Sequence, residues 1–502
     1  MGALLNFINV LFMDITYNIA SDKIVKRLWQ LVPSLLFLII FLFKYETFTI
    51  PGFWDELAVY INSGVYFSKH SFLNILPGLH PIRICYGHPP FIFFSLASLY
   101  RIFGYSNAIT HIYSVFIGFL GVLGTYLLGR RLHDRRTGLI AALLLFFSPI
   151  YYAQTGMVSG ETFVATFGVL CIYFFMTDNW LGYLVVGLFL AMSKATCLVI
   201  FFAIVLYEML FERKRPDFWK RIGFHALPML LLLLFLATQY LITGKAVDNP
   251  DLQESIFWYD SSWDWIYSQI VSLSKVIFFE QWRYVVSAFI LVYLVQHYRR
   301  FFKRENMLLL LIIAGYFCAF LRVYFLPRYI LPVFPFFFIL SAQAITHFEP
   351  NKSITTLVIA SLCSLFLWES YRTPTDCEHG IEINMTYADY VKANVEVVHY
   401  LEENYSDKNI FFCLTGYTLD PDSGYTTHTF AHNNTFQGLI ETKDAQIDRN
   451  DYDVLVTPFN KVCPGWTCKN VVMNAGYYFD RLFTRGPISF YVYVKKGVHK
   501  FK

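Results

Sequence analysis

Eleven apolar runs, at roughly 28–46, 107–128, 137–153, 161–177, 180–194, 196–210, 222–242, 282–298, 306–321, 329–346 and 353–370, divide the first 370 residues of this chain. Runs that approach the roughly 20 residues needed to cross a bilayer must satisfy their own backbone groups, so each is expected to be helical. With 56% hydrophobic and only 15% charged residues, the 502-residue chain holds more apolar surface than one globular core can bury. The sequence therefore describes a polytopic α-helical membrane protein with about eleven transmembrane helices plus interfacial ones. Its net charge of +4 is small, and the basic residues fall in short clusters between apolar runs, a pattern of cytoplasmic loops that speaks against nucleic acid as a partner.

One more apolar run, "PPFIFFSLASLYRIFG" at 89–104, is ambiguous. If it spanned, "GRRLHDRRTG" and every later basic loop as far as "YRRFFKREN" would lie outside, against the positive-inside rule. It is therefore read as interfacial or re-entrant. "SDKIVKR", "GRRLHDRR", "FERKRPDFWKR", "YRRFFKREN" and "HFEPNKS" then all fall inside, the N-terminus is cytoplasmic, and everything after 371 is extracytoplasmic. Residues 1–26 read as a cytoplasmic or interfacial lead-in, with no cleavable signal evident, and 27–370 as the transmembrane domain with a first outer loop at 47–106. The polar part from 371 to 502 alternates a helical stretch, "YADYVKANVEVVHYLEENY", with β-rich runs "NIFFCL", "YDVLVTPF" and "ISFYVYVKK". That alternation predicts a small C-terminal α/β domain on the outer face. Cys377, Cys413, Cys463 and Cys468 lie in it, and a Cys463–Cys468 bridge is one of the pairings open to them.

Several polar residues interrupt apolar surroundings on the outer side: Asp55 and Glu56 after the first run, His88 before two prolines, Gln154 and Glu161 around "AQTGMVSGE", Lys194 in "LAMSKAT", and Arg322, Arg328 and Tyr329 in "RVYFLPRYILPVFP". Ionisable groups at membrane depth are costly and usually line a cavity or substrate path. Two acids with several bases at one membrane face suit an anionic, phosphate-bearing ligand with a carboxylate left over for a proton. Each residue also has an ordinary reading. The acidic pair could be solvated loop, His88 a turn residue, Lys194 a snorkelling side chain and Arg328 a lipid-phosphate contact. Glu161 could simply favour a helix start, and "SIFWYDSSWDWIYSQI" reads as an interfacial aromatic helix.

The order of these pieces resembles the GT-C class of integral-membrane glycosyltransferases, in particular the family-39-like group of protein O-mannosyltransferases and lipid A aminoarabinose transferases. The resemblance lies in the acidic "FWDELAVYINSG", the basic residue and two prolines of "GHPPFIFFSLASLYRIFG", the basic small-residue turn within "LGTYLLGRRLHDRRTGLIAALLLFFSPIYYAQ", then "GLFLAMSKAT" and "PRYILPVFPFFFIL". It covers most of 27–370. Two positions depart from it: His88 stands where relatives often carry Lys, and Gln154 and Glu161 stand in place of their usual pattern after "SP".

The resemblance implies transfer of a monosaccharide, with inversion, from a polyprenyl-phosphate donor to an acceptor hydroxyl at the extracytoplasmic face, the acceptor being a lipid, glycan or protein. It makes Asp55 the base and Glu56 the residue that holds Asp55, a basic neighbour or the sugar in place. Lys194 and Arg328 become the phosphate clamp, with His88 a third candidate and Glu161 and Tyr329 further substrate-binding residues. No cofactor is required by it; a divalent cation between the two acids stays open, although no spaced set of further ligands stands beside them. A transporter or flippase of a lipid-linked or anionic solute is the competing reading. It calls for midplane polar residues and broken helices in two related halves, and no internal repeat is visible.

Overall fold

The computed structural model describes residues 19–80, 84–244, 262–323, 326–348, 352–372, 381–412, 453–460, 476–486, 488–498 and 500. The lead-in as far as residue 18, the first seven residues of "SIFWYDSSWDWIYSQI" and the four C-terminal cysteines lie outside the described residues.

All eleven apolar runs are helical. In chain order, α1 (Ile19–Lys44) leads through a loop and one π-helical turn (Glu56–Ile61) into α2 (Asn62–Lys69), followed by α3 (Phe91–Phe103). Then come α4 (Asn107–Leu132), α5 (Arg135–Phe147), α6 (Pro149–Thr155), α7 (Gly160–Met176) and α8 (Trp180–Ala191). After them α9 (Leu198–Phe211), α10 (Phe218–Thr243), α11 (Trp263–Ser274), α12 (Arg283–Phe301) and α13 (Arg304–Ala319) lead to α14 (Phe334–Phe348) and α15 (Lys352–Tyr371). The starts are fixed by polar caps: Ser106, Asp134, Ser159 and Asn179 each accept a backbone N–H from the first turn of the helix that follows.

Among the described residues, five helices are long and apolar enough to cross a membrane, and seven if the bent pairs α5–α6 and α11–α12 each count as one broken span. The other four runs make helices α7, α8, α9 and α13 of 12 to 17 residues. At 1.5 Å per residue, α8 is only about 18 Å long, well short of a hydrocarbon core of about 30 Å. Short helices bring their ends inside the molecule, and the turns that carry Glu161 and Lys194 lie at those ends. Helix α3, with 13 residues, is likewise shorter than a bilayer crossing.

Helices α4 and α5 touch closely where the basic turn joins them. A Cβ added to Gly138 would lie 2.4 Å from the Tyr126 carbonyl oxygen, and one on Gly129 would lie 2.8 Å from the Cα of Gly138. Only glycine at both positions lets the two backbones approach this far. Asp178, Glu208 and Arg221 tie the far ends of α8, α9 and α10 together: Arg221 donates to Glu208 at 2.7 Å and to Asp178 at 3.1 Å, with Glu208 fully buried.

The C-terminal part is the expected α/β unit with one more strand than the sequence announced. Helix α16 (Thr386–Tyr405) precedes β1 (Ile410–Phe412), β2 (Val454–Asn460), β3 (Tyr477–Arg485) and β4 (Ile488–Lys495). Their order is β1-β2-β4-β3, with β1 parallel to β2 and the other pairings antiparallel. Strand β3 escapes sequence reading because it is an edge strand bulged between Phe479 and Arg481, so polar and apolar residues do not alternate along it. Asp480, at that bulge, accepts the hydroxyls of Tyr400 and Tyr405, fixing α16 to the sheet. The unit sits against the membrane part through Tyr387 and Tyr390, whose rings lie 5.9 and 5.6 Å from that of Phe53.

Candidate active site

The loop after α1 is bent by backbone geometry before any side chain acts. Trp54 takes a left-handed φ of 46°, a conformation uncommon for a bulky residue and typical of places where strain serves a site. It sets Asp55 at the head of the π-helical turn. A π turn holds about one residue more than an α turn. Residues five apart therefore stand nearly in line, and Tyr60 falls on the same side as Asp55. Tyr60 then accepts the backbone N–H of Gly160 at 3.1 Å, which ties this turn to the start of α7.

The two acids of the pair part company. Glu56 is buried, 3% exposed, and accepts from the backbone N–H of Phe53 at 3.1 Å and of Val158 at 2.7 Å, with His111 Nε2 at 3.2 Å. Every one of these partners belongs to the protein scaffold. Glu56 therefore holds the turn that carries Asp55 in place from behind, and does not reach the sugar-handling position the sequence reading offered it. The reason is burial: a carboxylate without water takes the nearest donors, here two main-chain N–H groups and an imidazole.

Asp55 turns the other way and is bonded by Nη2 of Arg328. Arg328 sits in a tight 3-10 stretch, Pro327–Val333, and is 5% exposed. Its Nη1 donates to Glu382, and its Nε lies 3.8 Å from Glu161 Oε1. That same Glu161 oxygen takes Lys194 Nζ at 2.5 Å. The Lys194 ammonium also lies 4.8 Å from the centre of the Tyr329 ring, so both cations share an aromatic wall. Asp55, Glu161, Lys194, Arg328 and Tyr329, taken from four separate stretches of sequence, thus form one cluster. Asp55 is its open member, with 44% of its side chain exposed against 6% for Arg328 and 4% for Glu161.

His88 stacks on Tyr60 at 6.5 Å between ring centres. Loss of solvent, reinforced by the nearby Lys194 charge, pushes its imidazole down to about 4. It is uncharged near neutral pH and serves the site as a ring that backs Tyr60, not as a third cation. Gln154 does not enter the cluster itself; its amide donates to the Glu382 carbonyl at 3.1 Å. Arg322 is exposed, outside the set of contacts that defines the cluster.

Glu382, Tyr60 and His111 are the residues that sequence reading missed. Glu382 lies just beyond the last apolar run, in a stretch that reads as polar linker. It returns to the membrane part because Gln154 and Gln281 bond the carbonyls of residues 382 and 383, each at 3.1 Å, and because Ser370 accepts the Met385 N–H at 2.8 Å. Burial holds the Glu382 carboxyl above the usual range while Arg328 pulls against it. Among the described residues no group of three or more His, Cys, Asp or Glu side chains is arranged to hold a metal ion.

Against solved structures, this arrangement of helices and outer domain matches ArnT from Cupriavidus metallidurans in the apo state. The TM-score is 0.55 at 13% identity, over 95% of this chain and 98% of that one. The fold is GT-C. The same GT-C architecture aligns with ArnT bound to undecaprenyl phosphate (TM-score 0.51, 14% identity, 74% of this chain and 72% of that one). It also aligns with the oligosaccharyltransferase of Archaeoglobus fulgidus in the apo form (TM-score 0.51, 12% identity, 85% and 69%). Residues 87–241 match the family described as dolichyl-phosphate-mannose-protein mannosyltransferase. No curated protein is similar enough in sequence to stand beside this GT-C chain.

Proposed function

We propose that the chain is an inverting glycosyltransferase that moves a monosaccharide from a polyprenyl-phosphate donor to an acceptor hydroxyl, a lipid, glycan or protein, at the extracytoplasmic face of a membrane it crosses many times. The observation that carries this reading is the convergence of one open carboxylate, Asp55, on two recessed cations, Arg328 and Lys194. The family match over 87–241, which brings His88, Glu161 and Lys194 with it, supports the same class of reaction. In this reading the N-terminus is cytoplasmic, the sheet-bearing unit extracytoplasmic, and the surrounding lipid supplies the donor's route.

The step balances as follows. The acceptor oxygen bonds the anomeric carbon while the bond from that carbon to the phosphate oxygen breaks, and its electron pair stays on the phosphate. The acceptor proton passes to Asp55. A lipid phosphate leaves as a weak base, so the reaction needs one base and stabilisation of the charge that develops on phosphate. Asp55 supplies the first, held in place by Arg328 and exposed enough for an incoming hydroxyl. Lys194 and Arg328 supply the second, held in a water-poor recess where a cation acts with more force than in solution.

Membranes holding the full-length protein, given radiolabelled polyprenyl-phosphate sugars, test the reading. Label should move covalently to an acceptor in wild type and not in Asp55→Asn. Label that crosses the membrane still attached to its carrier would instead identify a flippase.

A further inference from the structure

Two cations in the site face three carboxylates. Arg328 and Lys194 carry two positive charges, and Asp55, Glu161 and Glu382 carry three negative ones. Glu56 stands apart from this balance, turned toward His111. Tyr60, Tyr329 and His88 are the other titratable side chains facing the cluster, and all three are neutral near pH 7. A binding site built only to hold an anion has no use for the third acid. Glu382 is nonetheless well fixed: its own carbonyl and that of Ile383 accept from Gln154 and Gln281, and its carboxylate is bonded by Arg328 Nη1.

The excess acid acquires a purpose when the charges of the two lipid species are compared, on the reading that the donor is a polyprenyl-phosphate sugar. The donor is a phosphodiester with one negative charge. The product is a phosphomonoester whose second ionisation falls near pH 6, so it carries close to two charges at neutral pH. During transfer Asp55 takes up the acceptor proton, and the total charge of the filled site does not change. Once Asp55 returns that proton to water, the site holds a dianion against a cluster that is already one negative charge in excess.

We infer that Glu382 sets the charge selectivity of the site: by occupying Arg328 Nη1 it lets a monoanionic donor phosphate bind while weakening the hold on the dianionic lipid-phosphate product, so that the product leaves. Glu382 acts through Arg328 and is a positioning residue, not a catalytic one. Its origin in the outer unit also makes product affinity depend on that unit being docked.

The test uses the purified full chain in nanodiscs and undecaprenyl phosphate as the probe. At pH 8, Glu382→Gln, which keeps an acceptor for Arg328 but removes the charge, should bind the lipid phosphate about tenfold more tightly than wild type, the effect of one charge a few ångströms away in a partly screened site. Glu382→Asp should return toward wild-type affinity, a rescue that a purely structural role would not give. Equal or weaker binding by Glu382→Gln overturns the inference. A second readout needs no variant. Between pH 8 and pH 5.5 wild-type binding should tighten, because the probe becomes a monoanion and the Glu382 carboxyl, held above its usual range by burial, moves toward its neutral form, while Lys194, Arg328 and the uncharged His88 do not change. Binding that weakens on acidification, as at a plain cationic site, also overturns it. If wild type and Glu382→Gln both ignore undecaprenyl phosphate and Lys194→Ala changes nothing, the donor assignment falls as well; if wild type binds and only the Glu382 effect is missing, the donor assignment stands alone.

Discussion

Arg328 donates to the carboxylate of Asp55 although 273 residues separate them in the chain. One residue comes from the loop after the first helix and the other from the stretch that opens α14, so the pair closes the molecule from end to end of its membrane part. The bond holds Asp55 with 44% of its side chain exposed, where the proposed base can meet an acceptor hydroxyl. Replacing Asp55 with Asn should lower transfer by about 10²–10⁴-fold, the usual contribution of a positioned base, while lipid-phosphate binding persists. Single-turnover assays beside a binding titration separate the two effects.

Arg328 serves Asp55 through Nη2, Glu382 through Nη1 and approaches Glu161 through Nε. A lysine presents one compact ammonium and cannot meet three carboxylates along a planar fork. Arg328→Lys should therefore lose nearly as much activity as Arg328→Ala. Lys194→Ala should cost on the order of 3 kcal/mol in the transition state, or about a hundredfold in rate. Measured kcat and KM for the three variants check both statements, and wild-type values in Lys194→Ala would remove it from the site.

His88 titrates at about 4, below its ordinary range, because burial and Lys194 disfavour its charged form. The imidazole is neutral above about pH 5 and gains its proton only as the pH falls toward 4. It contributes no step to a pH–rate profile between pH 6 and 8. Profiles of wild type and His88→Asn should differ in height and not in the position of their inflections over that interval.

The Glu56–His111 pair predicts a different signature. Glu56→Ala strips acceptors from two buried main-chain N–H groups, each an unsatisfied donor worth about 1–3 kcal/mol. The melting temperature should fall measurably, and kcat should fall through displacement of Asp55 while donor KM is nearly unchanged. A large rise in KM with unaltered melting would contradict the scaffold role.

On the far side of the bundle, Arg221→Ala leaves Glu208 charged, buried and without its bidentate partner. Breaking a buried pair in this way costs about 3–5 kcal/mol. The variant should be recovered in low yield or melt early, and Arg221→Ala with Glu208→Leu should regain most of the loss.

The helices and the main members of the cluster were legible in the sequence for a shared reason. Apolar runs announce helices whatever they pack against, and a charged residue such as Lys194 or Arg328 is conspicuous in apolar surroundings because leaving it there is expensive. Glu382 had no such contrast, since it follows the last span in a polar stretch and only tertiary bonds from Gln154 and Gln281 bring it back. Tyr60 depended on a π turn, and a period of 3.6 residues points it away from Asp55. Glu56 was read as holding Asp55, a basic neighbour or the sugar, and the choice stayed open because adjacency in sequence says nothing about which way two neighbouring side chains face. Strand β3 was hidden by the Asp480 bulge and its edge position.

The packing of Tyr387 and Tyr390 against Phe53, two residues before Asp55, bears on how such proteins diversify. An outer unit that leans directly on the loop carrying Asp55 cannot be traded among relatives as an independent cassette. Any chimera would have to inherit matching aromatic faces on both sides of that seam, so the C-terminal module and the first loop are bound to change together.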